Sequence, residues 1–215
     1  MAKTSLYSNS PIHITQGTGK MQGIVSINSS TLANPFCKKM SANPAFICSK
    51  CYANRFESIY PALHRCLMSN SELLSNAILA DEDIPIIYQD ICRLHSYGEL
   101  INETHFRNFC KIAEHNPHCL FTLWTKRLNL ISPNRPSNLN VIYSNPKLDS
   151  PISTVPSGVD GVFNVLTAEY AISHGIKSNC PGHCRMCMKC YRSSPAGVIY
   201  EILKSDQKKY KEMIE

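Results

Sequence analysis

Seven of the chain's eleven cysteines fall in two groups, and this distribution constrains the fold and chemistry more than any other feature. Cys180, Cys184, Cys187 and Cys190 sit inside eleven residues, while Cys37, Cys48 and Cys51 lie far upstream. The groups end alike, Cys48-Ser49-Lys50-Cys51-Tyr52 against Cys187-Met188-Lys189-Cys190-Tyr191. Thiolates at two-residue gaps can turn inward around one centre, which is how short cysteine runs hold iron-sulfur clusters. Structural zinc sites instead pair two C-x2-C knuckles across a spacer, so that four thiolates reach tetrahedral corners. The run C-x3-C-x2-C-x2-C has no spacer, which favours a [4Fe-4S] cluster and leaves zinc as the competing metal. A comparable ferredoxin run sends its fourth cysteine to a different cluster, so the seven thiols read as holding one cluster or two.

Disulfides fit less well. Eleven is an odd count, and Met1 to Ser8 lacks the apolar core of a secretion signal, so the expected compartment is a reducing cytoplasm. Cys66, Cys92, Cys110 and Cys119 stand apart from the groups; Cys66 and Cys110, on apolar helix faces, read as small core residues. A length of 215 residues with 43% hydrophobic content suits a single domain, 1–215, with a βα core over 1–175 and a cysteine-rich segment and C-terminal helix over 176–215. No apolar run reaches membrane-spanning length, so no membrane is expected as a partner. The formal charge of +6 permits an RNA, DNA or other anionic partner. Its cations are scattered apart from Lys204 to Lys211, and no nucleic-acid module signature appears, so a solvated surface is the plainer reading.

Periodicity predicts alternating strands and helices. Ile24 to Ile27 reads as a first strand, followed by a Pro- and Asn-containing loop that carries Cys37, Cys48 and Cys51. A helix entered near Pro61 puts Leu63, Cys66, Leu67, Leu74, Ala77 and Ile78 at helical spacing, and Asp81 to Asp83 ends it. Ile86 to Ser96 reads as a strand. Asn102 caps a helix with Phe106, Phe109, Cys110 and Ala113 on one stripe, stopped by Asn116-Pro117. Leu120 to Thr125, Asn140 to Ser144 and Val162 to Thr167 read as further strands, and Ala168 to His174 as a short helix closed by Gly175. Ser132 to Ser157 is rich in Pro, Ser and Asn and reads mostly as loop. The alternation implies an α/β fold with parallel strands: a partial, incomplete βα barrel, or alternatively an open doubly wound sheet.

Within Ile91 to His95, strand alternation places Ile91, Arg93 and His95 on one face and Cys92 with Leu94 on the other. At the C-terminal mouth of a parallel barrel Arg93 and His95 would face a ligand pocket, and Gly98-Glu99 adds a turn with a carboxylate. The same residues also suit an ordinary strand end. Thr125-Lys126-Arg127 ends the next strand, either as an anion site or as surface charge.

Four elements in order resemble the phage gene product 88 family: Cys48-x-x-Cys51-Tyr52-Ala53; Arg93-x-His95-x-x-Gly98-Glu99; Asn116-Pro117 before an aromatic strand ending Thr125-Lys126; and the C-terminal cysteine run. The resemblance spans residues 20 to 192. Members look like compact relatives of radical S-adenosylmethionine (SAM) proteins, with a partial βα barrel and iron-sulfur ligands. It implies that Cys37, Cys48 and Cys51 hold a [4Fe-4S] cluster with one open iron, with Tyr52 flanking it and Gly98-Glu99 at the SAM amino group. Radical SAM enzymes show C-x3-C-x2-C, whereas here ten residues separate Cys37 from Cys48. Arg93, His95, Glu99 and Lys126 are then the candidate catalytic residues, with His95 as acid/base. The C-terminal group implies an auxiliary cluster. Expected partners are a small-molecule substrate or SAM and an electron donor, in a bacterial host cytoplasm for a phage-encoded protein. The function classes are a radical SAM-type redox enzyme, a non-redox hydrolase or lyase using the open iron as a Lewis acid, and a metal-stabilised binding module.

Overall fold

The computed structural model describes residues 10–192 and 195–214; the Met1 to Ser8 segment lies outside them. In chain order the elements begin with β1 (Ile14–Gln16), β2 (Val25–Ile27), α1 (Pro35–Ser41), α2 (Tyr52–Ile59) and α3 (Pro61–Asn76). Next come β3 (Ile91–Leu94), α4 (Glu103–His115), β4 (Leu120–Thr125), β5 (Leu139–Ser144), β6 (Gly161–Leu166) and α5 (Ala168–Ser173). The chain ends with α6 (Cys184–Cys187), α7 (Lys189–Arg192), β7 (Gly197–Ile202) and α8 (Gln207–Ile214). Among the described residues no helix is long and apolar enough to cross a membrane.

The seven strands form one sheet in the order β1 to β7, with β1 antiparallel to β2 and every later pair parallel. A doubly wound sheet reverses its order at a switch point; this one does not, so the alternative of a doubly wound sheet is set aside. Among the described residues no pairing joins β7 back to β1.

Both faces of the central strands are buried, as parallel strands require. Cys92, Leu94, Phe121, Leu123, Leu139 and Val141 pack with Phe106, Phe109 and Ile112 of α4 and Leu74 of α3. On the opposite face Ile91, Trp124, Ile142 and Ile199 pack with Met188 and Tyr191, and Cys180, Cys184 and Cys190 lie against them. The cysteine-rich segment is therefore a layer of the core. Helix starts follow the local chemistry: Asn102 accepts from the His105 amide to cap α4, and Asn34 accepts from the Phe36 amide while Pro35 opens α1.

Several expectations need correction. The Ile86 to Ser96 strand contracts to β3, because Asn116 captures the preceding segment: it accepts from the Ile87 amide and donates to the Pro85 carbonyl. The first cysteine group is not on a loop. Cys37 lies on α1, Cys48 on a 3₁₀ turn at Ile47–Lys50, and Cys51 at the start of α2. β1 and β7, unread in the sequence, form the two sheet edges.

Candidate functional site

The C-terminal ends of β2, β3 and β4 are locked together by short polar side chains. Asn28, just past β2, accepts from the Ser96 and Tyr97 amides at 2.9 and 3.0 Å. Gly98 then passes so close that a Cβ there would lie 2.2 Å from Ser29 Oγ, and its φ of +95° disfavours a side chain independently. Glu99 follows, buried, and accepts from the Leu100 amide at 2.8 Å, Thr125 Oγ1 at 2.5 Å and the Lys126 amide at 2.7 Å. Burial pushes its carboxyl above the usual range, opposed by Lys126 and these donors. Gly98-Glu99 thus ties the turn after β3 to the end of β4.

The first cysteine group gathers on this rim. Asn34, which caps the helix of Cys37, donates to the Glu99 carbonyl at 2.9 Å. The Cys48 turn docks on the segment after β5, where the Ile47 amide donates to Pro146 O at 2.8 Å. Tyr52, next to Cys51, donates its hydroxyl to Ser96 O at 2.5 Å and sets its ring edge-on to Tyr97. Burial drives the Cys37 thiol far up, with Glu99, Cys51 and Cys48 adding and Lys126 opposing. Burial raises the Cys48 thiol likewise, and Lys126 again opposes. Lys126 Nζ donates to Ser144 Oγ at 3.0 Å, which anchors this cation at the rim.

Cys180, Cys184 and Cys190 of the second group lie on the sheet face, while Cys187 is exposed. Thr122 Oγ1 donates to the Cys190 carbonyl at 3.1 Å, and Asn140 Nδ2 donates to the Tyr191 carbonyl at 3.0 Å, pinning α7 to β4 and β5. Met188 adopts a left-handed conformation, φ 57°, which turns the chain between α6 and α7. Burial pushes the Cys190 thiol up to about 12, reinforced by Cys180 and opposed by Arg93. All eleven cysteines are free thiols. Among the described residues, no three His, Cys, Asp or Glu side chains converge into a preformed metal group. The donor set nevertheless fits a thiophilic metal. Cys37 lies within electrostatic range of Cys48, Cys51 and Lys126, and Cys190 within that of Cys180, Cys184, Cys187 and Arg93.

Residues 5–156 match the family model described as gene product 88. The chain belongs to the gene product 88 family. Comparison with curated proteins and with solved structures finds no match. The gene product 88 match includes Cys37, Cys48, Cys51, the β3 turn and Lys126, and it ends before β6 and the Cys180 to Cys190 run.

Within this gene product 88 chain, Arg93 and His95 part company. His95 has a φ of +66°, so the strand alternation breaks there and its ring crosses to the α4 face. It packs 5.1 Å from His105 and 5.0 Å from Phe109, with Nε2 3.2 Å from Ser29 Oγ. Burial holds its pKa well below the usual imidazole range, and only 4% of the residue is exposed. The expectation that His95 shares a ligand-facing surface with Arg93 is therefore wrong. Arg93 lies on the cysteine face, its guanidinium 4.0 Å above the Trp124 ring and its Nη1 3.5 Å from Met21 Sδ. Although burial works against its charge, Tyr191, Tyr52, Cys184 and Cys190 hold it protonated. Arg93 is thus within electrostatic range of Tyr52 of the first group and of Cys184 and Cys190 of the second.

Two features escaped the sequence reading. Glu57 of α2, buried, accepts from Ser30 Oγ, from the Thr31 amide and hydroxyl at 2.7 Å each, and pairs with His64 Nδ1 at 2.9 Å. Burial pushes its carboxyl up, but these hydrogen bonds prevail and hold it below its usual value. Its partners are remote in sequence, so no local motif marks it. Lys20, before β2, pairs with Glu201 of β7 at 2.6 Å beside Cys180.

Proposed function

We propose that this protein is an iron-sulfur enzyme of the radical SAM-like type, whose sheet is an arc of a βα barrel. In this reading Cys37, Cys48 and Cys51 hold a [4Fe-4S] cluster at the rim, and Cys180, Cys184, Cys187 and Cys190 hold a second one on the sheet face. The observation that carries the reading is the convergence of three separate chain segments, α1, the Ile47–Lys50 turn and the start of α2, which bring Cys37, Cys48 and Cys51 within electrostatic range of one another, and Cys37 and Cys48 within that of Lys126, at the C-terminal strand ends. Parallel α/β folds place their ligands at that end. The unreversed strand order also supports an arc of barrel.

A cluster held by three thiolates supplies an iron with one free coordination position, suited to reducing bound SAM or to polarising a substrate oxygen. The chain's own residues have narrower tasks. Lys126, anchored on Ser144, offsets the thiolate charge at the rim, and Arg93 does so for Cys184 and Cys190. Tyr52, held on Ser96, fixes the direction of the Cys51 segment and covers one side of it. Glu99 acts by position, since the Leu100 amide, the Thr125 hydroxyl and the Lys126 amide already engage its carboxylate. That engagement favours a second reading, in which the open iron binds a substrate oxygen as a Lewis acid without SAM.

Anaerobically purified protein is expected to be brown and to contain iron and acid-labile sulfide. Incubated with SAM and dithionite, it should release 5′-deoxyadenosine, and Cys51→Ala should abolish the release. Iron-containing protein that releases none, but whose cluster spectrum shifts with added carboxylates, selects the Lewis-acid reading. Colourless protein with stoichiometric zinc overturns both.

A further inference from the structure

The formal charge is unevenly placed. Residues 1–80 contain Lys3, Lys20, Lys38, Lys39, Lys50, Arg55 and Arg65 against only Glu57 and Glu72, so this stretch carries 7 − 2 = +5 of the total +6. Glu57 is buried among Ser30, Thr31 and His64, which withdraws it from the surface. Lys38 and Lys39 of α1, Lys50 of the 3₁₀ turn, Arg55 of α2 and Arg65 of α3 are all exposed, and among the described residues none of them stands in an ion pair. α1 packs on the 3₁₀ turn, the turn runs through Cys51 into α2, and α2 packs on α3, so these cations lie on neighbouring elements.

Large apolar side chains interleave with them. Tyr52 is 54% exposed, Phe56 39%, Ile59 53% and Tyr60 52%. Tyr52, Phe56, Ile59 and Tyr60 are spaced by four, three and one residues, which puts them on one side of α2 and its end. The Phe56 and Tyr60 rings lie nearly parallel, 17° apart, with centroids at 6.0 Å. Contiguous exposed apolar side chains rimmed by charge mark interaction sites.

We infer that the surface formed by α1, the Ile47–Lys50 turn, α2 and the start of α3 binds single-stranded nucleic acid and presents it to the rim that carries Cys37, Cys48 and Cys51. Unpaired bases offer flat π faces to Phe56 and Tyr60, and the phosphates are the anions that five unpaired cations demand. A duplex hides its base faces, so it could use only the cations. An acidic protein would meet the charge but not the stacked rings. A lipid surface fits less well, because α2 has eight residues and Tyr52 is tethered to Ser96 rather than free to insert. Tyr52 adjoins Cys51, so a strand lying along α2 reaches the rim directly. As a substrate assignment this rests on the cluster reading; as a binding site it does not.

The test is fluorescence anisotropy of labelled mixed-sequence RNA and DNA oligonucleotides, with iron and sulfide measured on the same preparations. Wild-type protein should bind. Phe56→Ala with Tyr60→Ala should weaken binding about tenfold or more. Lys39→Glu with Arg55→Glu should weaken it too, and should flatten the log-log salt dependence by about one to two. These residues are exposed, so the variants should keep the wild-type melting temperature. Tighter binding of RNA or of DNA names the natural strand. Equal binding of a duplex, insensitivity to both variant pairs, or binding to phosphatidylserine vesicles with none to oligonucleotides overturns the inference. Iron-containing protein that binds no strand overturns it while sparing the cluster reading, and metal-free wild-type protein that binds a strand does the reverse.

Discussion

The two cysteine groups reach their neighbourhoods by opposite routes. Cys37, Cys48 and Cys51 come from a helix, a 3₁₀ turn and a helix start, and hydrogen bonds from Asn34, Ile47 and Tyr52 hold those segments to the strand ends. Cys180, Cys184 and Cys190 come from one compact run that is itself the apolar cover of a sheet face. The rim group is held by the fold; the face group is part of what holds the fold. On the proposed cluster reading, a metal at the rim would be free to serve chemistry, whereas a metal on the face would also support the core. The gene product 88 match covers the first group and stops before the second.

The largest expected effect breaks or keeps that contrast. Cys190→Ser should remove face-group metal and lower the unfolding free energy of metal-loaded protein by about 3 kcal/mol or more, since metal-binding free energy contributes to folding there. Cys51→Ser should lose the rim iron with a change of about 1 kcal/mol or less, because the hydrogen bonds around it persist. Urea midpoints with iron assays decide between them, and equal losses would erase the distinction.

Arg93 sharpens the contrast by sign. Its side chain is half-buried with no carboxylate partner among the described residues, a state that costs free energy unless an anion is nearby. In metal-free protein with protonated thiols, Arg93→Met should be neutral or stabilising by about 1 kcal/mol, net of the lost Trp124 contact. In metal-loaded protein the thiolates need the cation, and the same change should destabilise by about 2 kcal/mol. Urea midpoints with and without metal read the two signs, and the same sign in both states would detach Arg93 from the face group.

Legibility in the sequence followed the reach of each interaction. β4 was read at its full extent, Leu120 to Thr125, because a parallel strand buried on both faces leaves an apolar run. α4 was legible from its Asn102 cap and its Phe106 and Phe109 stripe, both signals within one turn. α1 was missed although Asn34-Pro35 is a helix-start pair, because Pro and Asn serve loops equally well. His95 was misplaced because strict alternation assumes that every residue stays extended, and a single positive φ sends the ring to the other face. The alternation also hid the links among the Ser29 hydroxyl, Gly98 and His95, which come from residues about 66 to 69 positions apart in sequence. The cysteine spacing marked the two groups, and only tertiary contacts separated rim from face.

Acid tests separately whether the helical face is distinct from the cysteine face in its response to protons. His95 and His105 pack together on the α4 side, and burial lowers both, His105 to about 3. His105 Nδ1 accepts from the Ile101 amide at 3.3 Å, which fits the neutral ring. In the unfolded chain both should titrate near the ordinary imidazole value of about 6.5. Below that pH the unfolded state binds protons that the folded state refuses. The stabilisation is thus complete above about pH 6.5 and falls toward pH 3, by up to about 1.4 kcal/mol per pH unit for each histidine. Protonation of metal-bound thiolates would destabilise in the same direction, so the measurement belongs on metal-free protein. Urea midpoints at pH 7.5 and 5 should differ in the wild type, and His105→Gln should remove about half of the difference. A midpoint independent of pH in metal-free protein would place the acid response entirely on the cysteine face.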